Sequence, residues 1–238
     1  MLSQSAEERT FKSNLVLPSF TAFTAGMTNV VGIMACYTVT ANVTGHTAAF
    51  AKLMLERNWF EMFIVLMWIF IFMLGAFIAH FFIRSFAHKG SYVAHALPII
   101  FEALILLSVS VYGMLLFDET ETETILITAM LLLSMGVQNS AVSVISGSGI
   151  KTSHLTGLLT DLGSDVSEWL HPKTPRPGSL KRKLQLRFTI LFCYIIGALI
   201  GGILFLKISF ITFSIITAVL LLIVLYDLSK MQLQKNKK

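Results

Sequence analysis

Six runs of about 20 mostly apolar residues leave this chain little choice of fold. They lie at 15–38, 59–83, 92–117, 125–145, 188–206 and 208–226, the last two forming a tight hairpin around Lys207. In hydrocarbon, backbone N–H and C=O groups need internal partners, and a helix supplies them within each run. The expected fold class is therefore all-α: a polytopic membrane protein with six transmembrane helices. All 238 residues are taken as a single integral membrane domain. Apolar residues make up 55% of the chain and charged residues 13%, against about 45–50% and 25% in ordinary globular domains. That balance excludes a soluble enzyme, a nucleic-acid-binding domain and a disordered chain. The first 14 residues are polar and mixed in charge, so no cleavable signal peptide is expected.

Basic residues set the orientation. With the N-terminus inside, fifteen of the eighteen Lys and Arg residues fall on the cytoplasmic side, leaving Lys52, Arg57 and Lys207 outside. The acidic stretch at 118–123 (DETETE) is then external as well. The expected location is the cytoplasmic membrane, multi-pass, with both termini inside. The connection before the fifth span ends in a basic linker at 171–185 that contains Pro172, Pro175 and Pro177. Its charge fits an orientation signal and contact with anionic lipid rather than nucleic acid.

Two stretches repeat one another. G-x-x-N occurs at Gly26–Asn29 and again at Gly136–Asn139, and T-x-x-(Val/Leu)-T-G occurs at Thr40–Gly45 and Thr152–Gly157. The order is the same, and the offsets of 110 and 112 differ by only two residues. Each copy opens a three-span half, repeat 1 covering about 15–117 and repeat 2 about 125–227. An odd number of spans sends the second copy through the membrane in the opposite sense, so the expected architecture is two inverted three-helix repeats. Gly26, Asn29 and Gly32 share one helical face, as do Gly136, Asn139, Ser140, Ser143 and Gly147. Small residues there let helices approach closely, whereas the amides Asn29, Gln138 and Asn139 need a partner or a cavity.

Gly45 and Gly157 interrupt regular helix, and each is followed by a helix-compatible run. Broken or half-helices are thus expected after spans 1 and 4, with Thr44 and Thr156 near their N-caps. Two readings stand for these breaks. Either they present unpaired, partly positive N–H groups to a central site, or they are ordinary caps at the membrane surface.

Glu102 lies about 15 Å into the third span. An acid there costs about 2.5–3.5 kcal/mol on insertion, which makes it the candidate for proton coupling, a hydrogen bond between helices being the alternative. His46 and His154 flank the two T-G elements, and both could equally sit in headgroup water. His80, His88 and His95 read as interfacial. Asp161 and Asp165 read as a solvated face, or Asp161 as a partner of its helix's N-terminal dipole.

These motifs resemble the YoaK-like family of bacterial integral membrane proteins of unknown function. The resemblance rests on A-G-x-x-N (Ala25 to Asn29), V-T-G-H-T (43–47), M-G-V-Q-N (135–139), T-x-x-L-T-G-L-L-T-D-L (152–162) and the acid Glu102. It implies a six-helix inner-membrane protein and a transporter, with no substrate named. The family pattern has Asn where His46 stands and Asp where Asn29 stands, so no ionisable role passes to Asn29.

The expected function is secondary transport of a small solute. The substrate site is expected at Asn29, Thr44, Gly45, His46, Gln138, Asn139, Thr156 and Gly157, with Glu102 coupling protons. No Walker, H-E-x-x-H, G-x-S-x-G or paired-Cys pattern occurs. Hence no enzyme activity, catalytic residue, cofactor or metal is expected, and the expected partners are the lipid bilayer and an unidentified solute. The alternative is a non-transporting scaffold, sensor or assembly factor.

Overall fold

Each apolar run forms a helix in the computed structural model, which describes residues 2, 11–146, 155–172 and 177–235. The elements are α1 (Phe11–Cys36), α2 (Val43–Leu55), α3 (Trp59–Phe86), α4 (Ser91–Leu115), α5 (Glu121–Ser146), α6 (Leu155–Leu170), α7 (Gly178–Ile208) and α8 (Ile211–Lys235), with a 3-10 turn at Ala87–Lys89. Six of them, α1, α3, α4, α5, α7 and α8, are long and apolar enough to cross a bilayer. The fifth begins earlier than its apolar run: α7 starts at Gly178, so the basic cluster Lys181–Lys183 belongs to its first turns rather than to the linker.

Local chemistry explains the starts. Thr120 and Glu123 form a capping box on α5: the Glu123 carboxylate accepts from Thr120 N (3.1 Å) and Oγ1 (2.7 Å), and Thr120 Oγ1 accepts from Glu123 N (3.3 Å). Asn58 caps α3 by accepting from Glu61 N.

Cross-helix contacts fix the directions. On α1 and α7, Gly197 meets Phe23 and Gly201 meets Met27, so the two run parallel. On α3 and α5, Trp68 Nε1 donates to Ile125 O and Gly75 meets Leu133, again parallel. In contrast, α1 and α5 are antiparallel, with Gln138 on Thr24 and Leu131 on Gly32. The pair α4 and α8 is antiparallel too, joined by Ser110–Ser214 (2.7 Å) and by Thr217 Oγ1 donating to Ala103 O (3.3 Å).

Exchanging α1–α4 with α5–α8 maps these pairings onto each other. α1 packs on α7 as α5 packs on α3; α2 lies on α3 as α6 lies on α7; α4 meets α5 as α8 meets α1. The closest approaches correspond as well. A Cβ at Gly26 would strike the Tyr194 carbonyl, and one at Gly136 would strike the Phe72 carbonyl. Glycine at these two positions is what lets the backbones touch.

Burial sorts the helices in matching pairs. The apolar windows of α1 and α5 are 67% and 72% buried, while those of α3 and α7 are 22% and 17% buried. The outer faces of α3 and α7 show Phe63, Phe70, Phe77, Phe192, Leu199 and Ile203. Apolar exposure on this scale belongs in lipid.

Candidate functional site between the half-helices

The chain doubles back after α1. Tyr37 takes a left-handed φ of 55°, and Thr40 returns to stand beside Asn29 and Gly32. Helix α2 therefore starts inside the bundle, level with Asn29, and not beyond the end of α1. It then runs along α3 to the turn at Asn58. The N-cap is Asn42, two residues before Thr44, and its Oδ1 accepts from Gly45 N (3.0 Å). Gly45 leaves room for this cap, because a Cβ there would collide with the Asn42 side chain. An N-x-x-G pattern carries that signal, Asn being among the best N-caps.

Helix α6 likewise begins at the cavity that Asn139 lines. Thr152 and His154 lie outside the described residues.

Between the two half-helix starts lies a cavity of about 640 Å³. The first half contributes Asn29, Asn42, Val43 and Thr44, and the second Asn139, Ser140, Ser143, Leu155 and Thr156. Phe72 of α3 and Tyr194 of α7, at equivalent places in the two halves, complete the walls. Four residues singled out from the sequence, Asn29, Thr44, Asn139 and Thr156, thus come together. Asn42, Phe72 and Tyr194 were missed: the first was hidden beside the T-G motif, and the other two lie on spans that carry no motif.

Asn29 is 2% exposed and holds three elements at once. Its Oδ1 accepts from Thr40 Oγ1 (2.8 Å), and its Nδ2 donates to Tyr194 Oη (2.9 Å). The two halves of the repeated motif, G-x-x-N and T-x-x-x-T-G, are spaced to make this contact in the first copy. No Asp, Glu, Lys, Arg or His lines the cavity among the described residues. Its chemistry is that of amides, hydroxyls, two aromatic rings and two helix N-termini, whose free N–H groups favour negative charge.

The remaining expected residues lie elsewhere. Gln138 is buried between α1 and α5 and donates to Thr24 Oγ1 (2.8 Å). His46 packs edge-on against Trp68 at 5.7 Å, with Nε2 3.1 Å from the Val39 carbonyl. Outside the six spans, burial pushes the His46 imidazole below its ordinary pKa, while its bond to Val39 opposes the shift. Gly45 sits under the Asn42 cap and Gly157 on α6, half-buried; neither is among the lining residues. Glu102 is 1% exposed on α4, also outside the cavity lining. Asp161 and Asp165 clamp Arg187, the first at 2.9 Å, so they tie α6 to α7 instead of forming a solvated face. A second hollow, of about 710 Å³ between α1, α7 and α8, is lined mainly by apolar groups such as Phe20, Phe23 and Leu222. It suits an acyl chain, not a polar solute.

A family model described as a protein of unknown function, DUF1275, matches residues 17–226. The chain belongs to the DUF1275 family. The match runs from α1 into α8 and takes in both half-helices, and it is the family of the YoaK-like resemblance. Comparison with curated proteins and with solved structures finds no match.

Proposed function

We propose that this membrane protein is a secondary transporter of a small solute, built as two inverted repeats in a cytoplasmic membrane with both termini inside. The observation that carries the reading is the shared cavity: two half-helices, one from each half, start at its walls. Irregular backbone inside a membrane bundle is tolerated where it is buried in protein or lines a cavity. Sites of this kind recur where inverted repeats meet. With no charged side chain in the lining, the half-helix N-termini supply the local positive potential, and they favour a solute bearing a carboxylate or similar anionic group. Glu102, buried at the depth of Asn29, is the residue that couples ion movement, with a proton as the simplest ion. The reading is of a carrier, not an enzyme.

The alternative, a non-transporting scaffold, sensor or assembly factor, draws on one observation. Both polar ends of the Asn29 amide are already bonded within the protein, as a packing residue would be. Two measurements decide between the readings. In a background free of Cys36 and Cys193, cysteines placed at Asn29 and Asn139 are expected to react with polar thiol reagents added from opposite faces. In liposomes, uptake of a carboxylate from a metabolite panel is expected to follow a pH gradient, and to lose that response in Glu102→Gln. Protection of both cysteines together with absence of uptake would establish the scaffold.

A further inference from the structure

Among the described residues, six buried side-chain oxygens lack hydrogen-bond partners, and four of them fall within about a helical turn of Ser134: Glu102 Oε1, Gln138 Oε1, Ser134 Oγ and Thr28 Oγ1. Their residues are each at most 1% exposed. The helix registers bring Glu102, Ser134 and Thr28 to within about one residue in depth, with Gln138 one helical turn further along α5. Tyr112 Oη donates to Glu123 across the antiparallel α4–α5 hairpin, and counting ten residues along both helices sets Glu102 opposite Leu133, the residue before Ser134. The contacts Gln138–Thr24 and Leu131–Gly32 bracket the crossing of α1 and α5, which sets Thr28 opposite Ser134. Thr217 donating to Ala103 O seals the α8 side. Gln138 has committed its amide nitrogen to Thr24, so its carbonyl oxygen is the end left over.

The chemistry of this set is selective. All four unpartnered atoms are oxygens, and three of them, the carboxylate, the amide carbonyl and either hydroxyl, offer lone pairs without displacing another bond. A buried polar atom without a partner costs about 1–3 kcal/mol, and a buried carboxylate costs more. Packing alone therefore gives no reason to gather four within about one helical turn. Hard oxygen donors suit hard cations. One carboxylate balances one positive charge, whereas a divalent ion would leave a net charge in the bilayer interior.

We propose that Glu102, Ser134, Gln138 and Thr28 form a binding site for a monovalent alkali cation between α1, α4 and α5, which takes the cation in exchange for a proton on Glu102. The site deepens the coupling role given to Glu102 above by naming the ion. Its test reads binding, so it stands or falls separately from transport. Helix α5 links the two sites physically, since Asn139 and Ser143 line the cavity while Ser134 and Gln138 belong to the cation site.

The experiment is thermal unfolding of the purified full chain in detergent, titrated with sodium, lithium or potassium chloride against choline chloride at equal ionic strength. At least one alkali cation is expected to raise the melting temperature saturably, by about 3–6 °C at ten times its dissociation constant. Glu102→Gln is expected to abolish the rise. Ser134→Ala, which removes one small donor and keeps the fold, is expected to shift the half-saturating concentration up by about tenfold. If no alkali cation outperforms choline, or if Glu102→Gln responds as the wild type does, the site does not exist. A Ser134→Ala midpoint equal to wild type would overturn the donor set and the proposal with it. Sodium binding without transport would leave this inference standing and remove the transporter; transport without any alkali response would do the reverse.

Discussion

The half-helices α2 and α6 occupy equivalent places, each lying on the peripheral span that follows it in the chain and each opening onto the same cavity. They are held by opposite chemistry. Helix α2 is pinned by His46, buried edge-on against Trp68 of α3. Helix α6 is pinned by Arg187 of α7, which reaches the carboxylates of both Asp161 and Asp165 and also donates to the Asp161 carbonyl (3.1 Å). Aromatic packing is indifferent to salt, whereas a partly exposed ion clamp is screened by it. One repeated backbone plan has therefore been given two locks that respond to different conditions. The side of the cavity closed by α6 is the side that charge and ionic strength can loosen.

The largest test of this contrast is Arg187→Ala. The Asp165 side chain is only 10% exposed, and removing its partner strands a nearly buried carboxylate. Full burial would cost 3–5 kcal/mol; with Arg187 itself 24% exposed, solvent screening reduces the expected loss to about 1–3 kcal/mol. Hydrogen exchange followed by mass spectrometry is expected to quicken across 155–170 and to stay unchanged across 43–55. Raising salt on the wild type is expected to produce the same pattern more weakly. Equal acceleration of both segments would mean the two locks are one cooperative unit, and the contrast would fail.

Trp68→Leu probes the other lock with a smaller effect. It keeps an apolar side chain against α2 but removes the edge contact to His46, a kind of pairing worth about 0.5–1.5 kcal/mol. Faster exchange is expected at 43–55 alone, with no dependence on salt. Protection that survives the change would show that Val39 and the Asn42 cap hold α2 without the ring.

Sequence reading reached the spans and the half-helices for a physical reason. Apolar runs of membrane length and a repeated T-G break are local features, and helices form from local hydrogen bonds. Asn29 and Asn139 were legible because an amide in an apolar run is costly without a role. What escaped were relations between residues far apart in sequence. Arg187 read as one of many basic residues in a cytoplasmic stretch, and nothing local tied it to Asp161 and Asp165, 26 and 22 residues earlier. Tyr194 and Phe72 sit in spans without motifs, and only the parallel packing of α7 on α1 and of α3 on α5 carries them to the cavity. His46 was expected in the site because it adjoins the T-G element. Half a helical turn decides otherwise: Thr44 faces the cavity, while His46, two residues on, turns towards α3.

That turn supplies the subtlest test, since it makes the α2 lock sensitive to acid where the α6 lock is sensitive to salt. Burial holds His46 below its ordinary pKa of 6.5 because the docked imidazole resists taking a charge. An undocked α2 exposes the ring to water, where it protonates at the ordinary value. Docking is therefore fully supported above pH 6.5 and weakens as pH falls from 6.5 towards the lowered value, the direction expected when the open state binds more protons. Exchange across 43–55 is expected to rise over that interval. His46→Gln, which can still donate to the Val39 carbonyl but does not titrate, is expected to flatten the response. Helix α6 serves as the internal control, because its lock, Arg187 with Asp161 and Asp165, contains no histidine. Acid-quickened exchange at 155–170 equal to that at 43–55 would take the pH response away from His46 and assign it to the bundle as a whole.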